Sequence, residues 1–475
     1  MSLFDEFTPA DYGKWRTEAE RELKGKSFEE YLVWNNEGIS IDAYYSAESL
    51  KDLTLPVLNN RENNYWDIIA EVPIEDDIAK ANKHALEALQ GGASGIRFTG
   101  NYLSDQHEMQ ALLEGIQIEI IALQFDCGEA NPLIHFMLKE EVENRGLSME
   151  QMNVVIGLDP LGDYTARGYA DYPENENYKV AAAMVDAAKN DKGNLKLIAI
   201  NGRHFHNAGA SATEELAFSL AQANEYLGKL TDIKVSAEDA AKCMQFTMAV
   251  GSGYFVEIAK IRALKILWAN LCSGYGIDVP CSITAETSKW NKSIYSAQTN
   301  MLRSTTEVMA AIIGGVDAFV AEPFDSTYKR PDSFSRRQAR NTQLVAKYEA
   351  FMDKIADPLA GSYYVEQLTH KLAQAAWGLF QEVEKQGGYL ACLKSGFIQK
   401  SINATCKTRD KLIKDKKISF VGVSNYVDKD EKMLKKIKKE VKEDKFAPEL
   451  QIKPLAFYRG PGIIEIDLFQ KERVK

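Results

Sequence analysis

The strongest constraint on the fold is an alternation of short apolar runs with helix-patterned stretches from about residue 65 to residue 325. The strand-like runs are Trp66–Ile69, Gly95–Thr99, Ile118–Phe125, Val154–Leu158, Leu195–Asn201, Pro280–Thr284 and Ala318–Ala321. Between them, Leu216, Leu220, Ala223 and Leu227 share one helical face. Met301, Thr305, Val308, Met309 and Ile312 share another, which Gly314-Gly315 should stop. Strands apolar on both faces and separated by helices imply a parallel sheet. Seven visible strands plus one unseen would close a (β/α)8 TIM barrel, and the pattern alone also permits a doubly wound open sheet.

The remainder divides into three expected regions. Residues 1–60 read as an N-terminal arm, 61–400 as the barrel, and 401–475 as a helical linker and tail. In the arm Thr8 reads as an N-cap with Pro9 at the first helical position, and Trp15, Ala19 and Leu23 then recur at helical spacing. Those side chains need a surface to cover, on this chain or on a partner. The mixed charges of Asp430–Lys436 read as a solvated helix.

A net charge of −11 argues against nucleic-acid or anionic-membrane partners. The six cysteines are scattered without CxxC spacing, and the first residues, Met-Ser-Leu-Phe-Asp-Glu-Phe, lack a secretory pattern. No run approaches the roughly 20 apolar residues that span a bilayer. A cytoplasmic location is expected.

Several clusters invite chemistry. Arg203-His204-Phe205-His206-Asn207 follows a strand end, where barrels place catalytic groups; His-x-His could also ligate a metal, but no third ligand is evident. Asp159, Asp163, Asp171 and Glu174 lie among Pro and Gly and read as acids on an exposed loop. Gly91–Gly95 precedes its strand, so it is a turn and not a dinucleotide loop. Arg336-Arg337 could meet phosphate, with salt bridging the simpler reading.

Longer stretches resemble a known family. Asn300–Gly315, Ser335–Leu344, Asp357–Glu366, Gly251–Trp268, Glu382–Gly388 and Glu37-Gly-Ile39 are similar to corresponding segments of methylmalonyl-CoA mutases, in order along about residues 35–425. The resemblance implies a barrel that, in active members, encloses acyl-CoA and caps adenosylcobalamin for a radical interconversion of methylmalonyl-CoA and succinyl-CoA.

Its site residues carry over one at a time. The family's catalytic histidine falls on His204. Its radical-shielding tyrosine falls near Glu71, and its Gln-Thr-Ser-Gly-Trp segment reads Glu286-Thr-Ser-Lys289-Trp290, so glycine becomes lysine. A Gln-Asn-Asp strand end reads Gly157-Leu158-Asp159, and the arginine that meets the substrate carboxylate has no clear counterpart. Asn300 and Glu307, near family adenosyl contacts, remain. The cobalt-ligating Asp-x-His-x-x-Gly is matched only by Asp105-Gln-His107, with Gln110 in place of glycine, and a cobalamin-binding domain is expected to be absent.

The resemblance therefore implies a small, non-catalytic subunit paired with a large catalytic one, with adenosylcobalamin in the complex and not on this chain. One alternative is an active acyl-CoA mutase barrel that recruits a separate cobalamin-binding subunit. Another is a metal- or anion-binding barrel built around His204 and His206. Whether the barrel still admits CoA stays open at this level, although Phe98 and Phe125 are bulky enough to fill it.

Overall fold

The computed structural model describes residues 11–51, 53, 61–75, 77–100, 103–128, 131–191, 193–438 and 450–474. A two-stranded hairpin, β1 (Val33–Asn36) and β2 (Ile39–Asp42), precedes eight parallel strands that close into a barrel. These are β3 (Asp67–Pro73), β4 (Gly95–Thr99), β5 (Ala122–Asp126), β6 (Asn153–Leu158), β7 (Asn194–Ile200), β8 (Met244–Val250), β9 (Ile283–Thr287) and β10 (Ala318–Val320). β10 pairs with β3 and completes the ring, so the fold is the (β/α)8 barrel and not the open sheet.

The strand that the sequence pattern hid is β8. Met244-Gln-Phe-Thr-Met-Ala-Val is buried throughout, but its few β-branched residues directly follow the helix Ala237–Lys242 and read as more helix. Two strands also start later than their apolar runs suggest. Ile118–Ile121 form the approach to β5, leaving Ile120 exposed, and β9 begins at Ile283 rather than Pro280.

Strand alternation decides what fills the barrel. Arg97 on β4 bonds to Glu286 on β9, and these strands are not neighbours, so the pair crosses the interior. Ile96 and Phe98 therefore face the helices. Phe125 sits in register with Phe98, their rings 5.7 Å apart, on the same outer face. The two phenylalanines do not fill the axis. Arg97 and Gln124 do, above a small apolar cluster of Ile69, Ala122, Ala318 and Val320.

The helix Ala212–Asp232 buries Leu216, Leu220, Ala223 and Leu227 as the spacing predicts. It starts on a capping box of Ser211 and Glu214. The helix Thr299–Gly314 differs from expectation. Val308 and Ile312 are buried, with Ala310 and Ala311, but Thr305 is exposed and the N-terminal part of the buried stripe is polar: Asn300, Ser304 and Glu307. Gly315, at φ 83°, ends it.

The arm helix is Tyr12–Glu22, capped by Asp11; Thr8 and Pro9 lie outside the described residues. Trp15 covers the arm's own aromatics, stacking on Tyr44 at 5.1 Å and meeting Phe28 edge-on at 5.7 Å. Tyr31 and Trp34 remain exposed. The hairpin turn Glu37-Gly38 has both φ angles positive, the geometry of a type I′ turn. It pins the arm to the barrel, because the Glu37 carboxylate accepts from Arg409 at 2.8 and 2.9 Å and from the Ala212 N–H at 2.7 Å. A Cβ on Gly38 would sit 3.0 Å from Thr213 Oγ1 in a left-handed conformation. Gly38→Ala is therefore expected to cost about 1–3 kcal/mol in denaturant unfolding, and to speed proteolytic loss of the arm.

After the helix Phe397–Lys414, Asp430–Lys436 form turns and not the expected solvated helix. Other elements claim them: Glu472 accepts from the Met433 and Leu434 backbone N–H groups, while the Glu431 side-chain carboxylate accepts from the Ser296 N–H. Residues 451–460 then cross the barrel's C-terminal end as a strap. They bond in turn to Gly168, Thr165, Asn207 and Trp290, and lead into the helix Gly462–Val474. No helix among the described residues is long and apolar enough to cross a membrane.

Candidate site at the barrel mouth

At the C-terminal ends of the strands lies a cavity of 430 Å³, into which Glu71, Asp126, Arg203, His204, Glu286 and Lys289 project, with Leu455 and Phe457 of the strap closing one side. Its floor is an ionic lattice. Glu286 Oε2 accepts from Arg97 Nη1 and from Arg203 Nη1, each at 3.0 Å. Arg203 also pairs with Asp126. Arg97 Nε donates to Gln124 at 3.0 Å, and Gln124 passes a hydrogen bond of 3.2 Å to Thr284. Two guanidinium groups thus meet two carboxylates across the axis, with Arg97 and Glu286 both buried.

This lattice fixes the charge states. Burial alone would raise the Glu286 carboxyl, but Arg203, Arg97 and Lys289 hold it at about 2. Burial likewise opposes ionisation of Asp126, and Arg203 overcomes it and lowers the carboxyl. The Glu71 side chain is exposed to the cavity but surrounded by protein groups, whose desolvation raises its carboxyl despite Lys289 and Arg97. Lys289 lies 3.6 Å from Glu322, and that carboxylate raises its ammonium.

His204 points into the same space, and among the described residues its ring makes no hydrogen bond. Burial, reinforced by Arg203, pushes it down to about 4. Its imidazole is expected to stay neutral from pH 8 to pH 5 in an NMR titration. Because the folded value lies below the ordinary 6.5, its contribution to stability is complete above pH 6.5 and is lost as the pH falls toward 4.

The structure separates the two histidines that the sequence placed together. His206 turns inward, with Nε2 2.8 Å from Ser288 Oγ and Nδ1 3.2 Å from Glu215. The order Ser–His–Glu has the connectivity of a nucleophilic triad. However, Ser288 has no exposed surface, and Glu215 is shared with Lys260 at 2.6 Å. No substrate reaches that hydroxyl, so the group is a brace between β7, β8 and β9. Among the described residues no three His, Cys, Asp or Glu side chains are arranged to hold a metal.

Two further readings change. Asp159 is not on an exposed loop but buried, capping the helix Pro160–Ala166. It accepts from Gly162 N at 2.8 Å, Asn201 Nδ2 at 2.8 Å, Gln222 Nε2 at 2.6 Å and the Tyr226 hydroxyl at 3.0 Å. Burial still raises it to about 6. Its only sequence signal was Asp159-Pro160, an N-cap followed by proline at the first helical position. Asn300 and Glu307 do not line the cavity. Glu307 is fully buried against Lys292 at 2.6 Å and Asn291 at 2.7 Å, and Asn300 ties Ser293 to the Phe324 carbonyl.

Residues 92–459 match the sequence model of methylmalonyl-CoA mutase. The chain is 34% identical to the methylmalonyl-CoA mutase small subunit of Porphyromonas gingivalis, over 98% of this chain and 77% of that one. This chain belongs to the methylmalonyl-CoA mutase family. A second small subunit, from Streptomyces virginiae, is 29% identical over 90% of this chain and 72% of its own length. The large subunit of the Porphyromonas gingivalis mutase is 30% identical, over 67% of this chain and 45% of that one. Within the mutase family the chain therefore stands with the small subunits. His204, Glu71, Glu286 and Lys289 share the mouth of this mutase-type barrel, whereas Asn300 and Glu307 lie apart from it.

Proposed function

We propose that this chain is the structural small subunit of a heterodimeric, adenosylcobalamin-dependent methylmalonyl-CoA mutase, and that a large subunit carries the catalysis. The observation that carries this reading is the lattice around Glu286. Radical chemistry at a barrel mouth needs an enclosed, dry and open space for its intermediates. Here the axis is crossed by Arg97, Glu286 and Arg203, and Glu71 and Lys289 add two more charges above them.

The mouth does not fit a corrin ring. Leu455 and Phe457 already line the cavity, and the strap is held by backbone bonds at Thr165, Asn207 and Trp290, so a flat macrocycle could seat only after those bonds broke. Burial and Arg203 keep the His204 imidazole neutral, and among the described residues no hydrogen bond fixes its tautomer or orientation, which supports a vestigial role. Tyr31 and Trp34, exposed on an arm that Glu37 anchors rigidly, support contact with the large subunit through the arm, since exposed aromatics are favoured interface anchors. Residues 1–60 are the partner-contacting arm in this reading, 61–400 the barrel, and 401–475 the linker and tail, of which residues 451–460 form the strap.

The test is co-expression with a large subunit. A one-to-one complex by native mass spectrometry is expected, together with no conversion of methylmalonyl-CoA by this chain alone in the presence of adenosylcobalamin. Turnover by the isolated chain would overturn the proposal.

A further inference from the structure

β10 ends at Val320, paired with Ile69, whereas β3 continues to Pro73. Beyond that last pair the barrel wall opens into a wedge. A cavity of 310 Å³ occupies it, walled by the helices Ile78–Gln90 and Ser333–Tyr348. Arg336, Arg337, Arg340 and His84 all line this space.

The sequence suggests salt bridges for this arginine pair. None forms: among the described residues, Arg336, Arg337 and Arg340 have no carboxylate within 4.0 Å. Arg336 donates to the Pro331 carbonyl at 2.8 Å, and Arg337 lies over the Phe334 ring at 5.9 Å. Arg340 is folded against the turn at Gly91, where a Cβ would collide with its guanidinium, and its buried Nε has no hydrogen-bond partner. Nearby Arg330, by contrast, is paired with Glu75 at 2.9 Å. Two carboxylates do reach the cavity wall, Glu87 and Glu71, but Glu71 answers to Lys289 and Arg97 on its other side.

The electrostatics agree with the geometry. Burial lowers the Arg340 guanidinium and the positive Arg337 adds to the effect; His84 is lowered by burial and by Arg336. Like charges held together in a recess, with donors unspent, are a ready-made receptor for an anion, and guanidinium forks match phosphate oxygens in pairs.

We propose that this wedge binds a phosphate-bearing anion, a free diphosphate or the diphosphate of a nucleotide, through Arg336, Arg337 and Arg340. The recess is a narrow slot between two helices rather than a broad face, which favours a small anion over an acidic protein segment. Glu71 is the one residue that lines both this wedge and the barrel mouth; the arginines lie outside the mouth, and the proposal does not depend on the subunit assignment.

The experiment is isothermal titration of the full chain with inorganic pyrophosphate and, separately, with ADP, in phosphate-free buffer at matched ionic strength. Saturable one-to-one binding of either is expected. If pyrophosphate alone suffices, the free anion is the ligand; if ADP binds markedly tighter, a nucleotide is. Arg336→Gln and Arg337→Gln, both on the accessible side, should each weaken binding at least tenfold, while the paired Arg330→Gln should not. Arg340→Gln should do the same where circular dichroism shows it folded. The absence of saturable binding to the wild-type chain would overturn the proposal and leave these arginines for an acidic segment of another protein. Binding unchanged in Arg336→Gln and Arg337→Gln would overturn it as well.

Discussion

Replacing Glu286 with glutamine is expected to destabilise the folded chain by about 3–5 kcal/mol, the usual consequence of removing one partner from a buried ion pair. The carboxylate is the shared acceptor of Arg97 and Arg203, so its loss leaves Arg97 buried with one neutral neighbour, Gln124, and leaves Arg203 with Asp126 alone. A glutamine is the same size and can accept one hydrogen bond. The deficit is therefore electrostatic, without a cavity contribution.

The pH dependence carries the same signature. The Glu286 carboxyl is held at about 2 against an ordinary 4.5. A lowered carboxyl contributes stability that is complete above pH 4.5 and disappears as the pH falls toward 2. The difference in unfolding free energy between wild type and Glu286→Gln should accordingly be large at pH 6 and shrink toward pH 3, measured by urea unfolding at each pH. A difference that stays constant on acidification would mean that the residue acts through packing.

The second large effect is Lys260→Met. Lys260 has no exposed surface and lies 2.6 Å from Glu215 and 2.5 Å from Glu257, donating also to the Ala249 carbonyl at 2.7 Å. Burial alone would strip its proton; the two carboxylates overcome this and raise it to about 12. Methionine nearly matches the stem in shape but leaves two buried carboxylates facing each other, and a loss of at least about 3–5 kcal/mol follows. Because the folded value exceeds the ordinary 10.5, the contribution is intact below that pH and constant across the neutral range. Adding Glu257→Gln to Lys260→Met should recover part of the loss, and a double-mutant cycle in denaturant measures how much. Additive losses would show that the three groups do not act together.

Both networks bear on how far the sequence discloses this molecule. Alternating strands and helices betray a barrel because burial on two faces demands apolar runs, and seven of eight strands stand out for that reason. β8 does not, since Met, Gln and Ala carry little strand preference. The charged axis is the harder case. Arg97 and Gln124 each sit within an apolar run and Glu286 just beyond one, so they look like isolated polar residues, 27 and 189 residues apart, and only closure of the sheet brings them together. Asp159 misleads in the opposite sense: Pro and Gly around it suggest a loop, while its four donors come from three separate segments. The family resemblance located His204, Glu71, Glu286 and Lys289, but not the strap that lies over them, because residues 451–460 carry no motif and are positioned by backbone bonds, by side-chain bonds to residues distant in sequence such as Gln399 and Asp410, and by the buried Ile452.

The central claim, a mutase barrel that no longer performs chemistry, is tested most directly by the His204→Ala variant of this chain in a reconstituted complex with the large subunit. The account predicts methylmalonyl-CoA turnover within about twofold of the unaltered complex, since in the proposed reading the large subunit carries the chemistry and His204 of this chain takes no part in it. A fall of about 10²–10⁴-fold, the range expected when a general acid or base is removed, would contradict it.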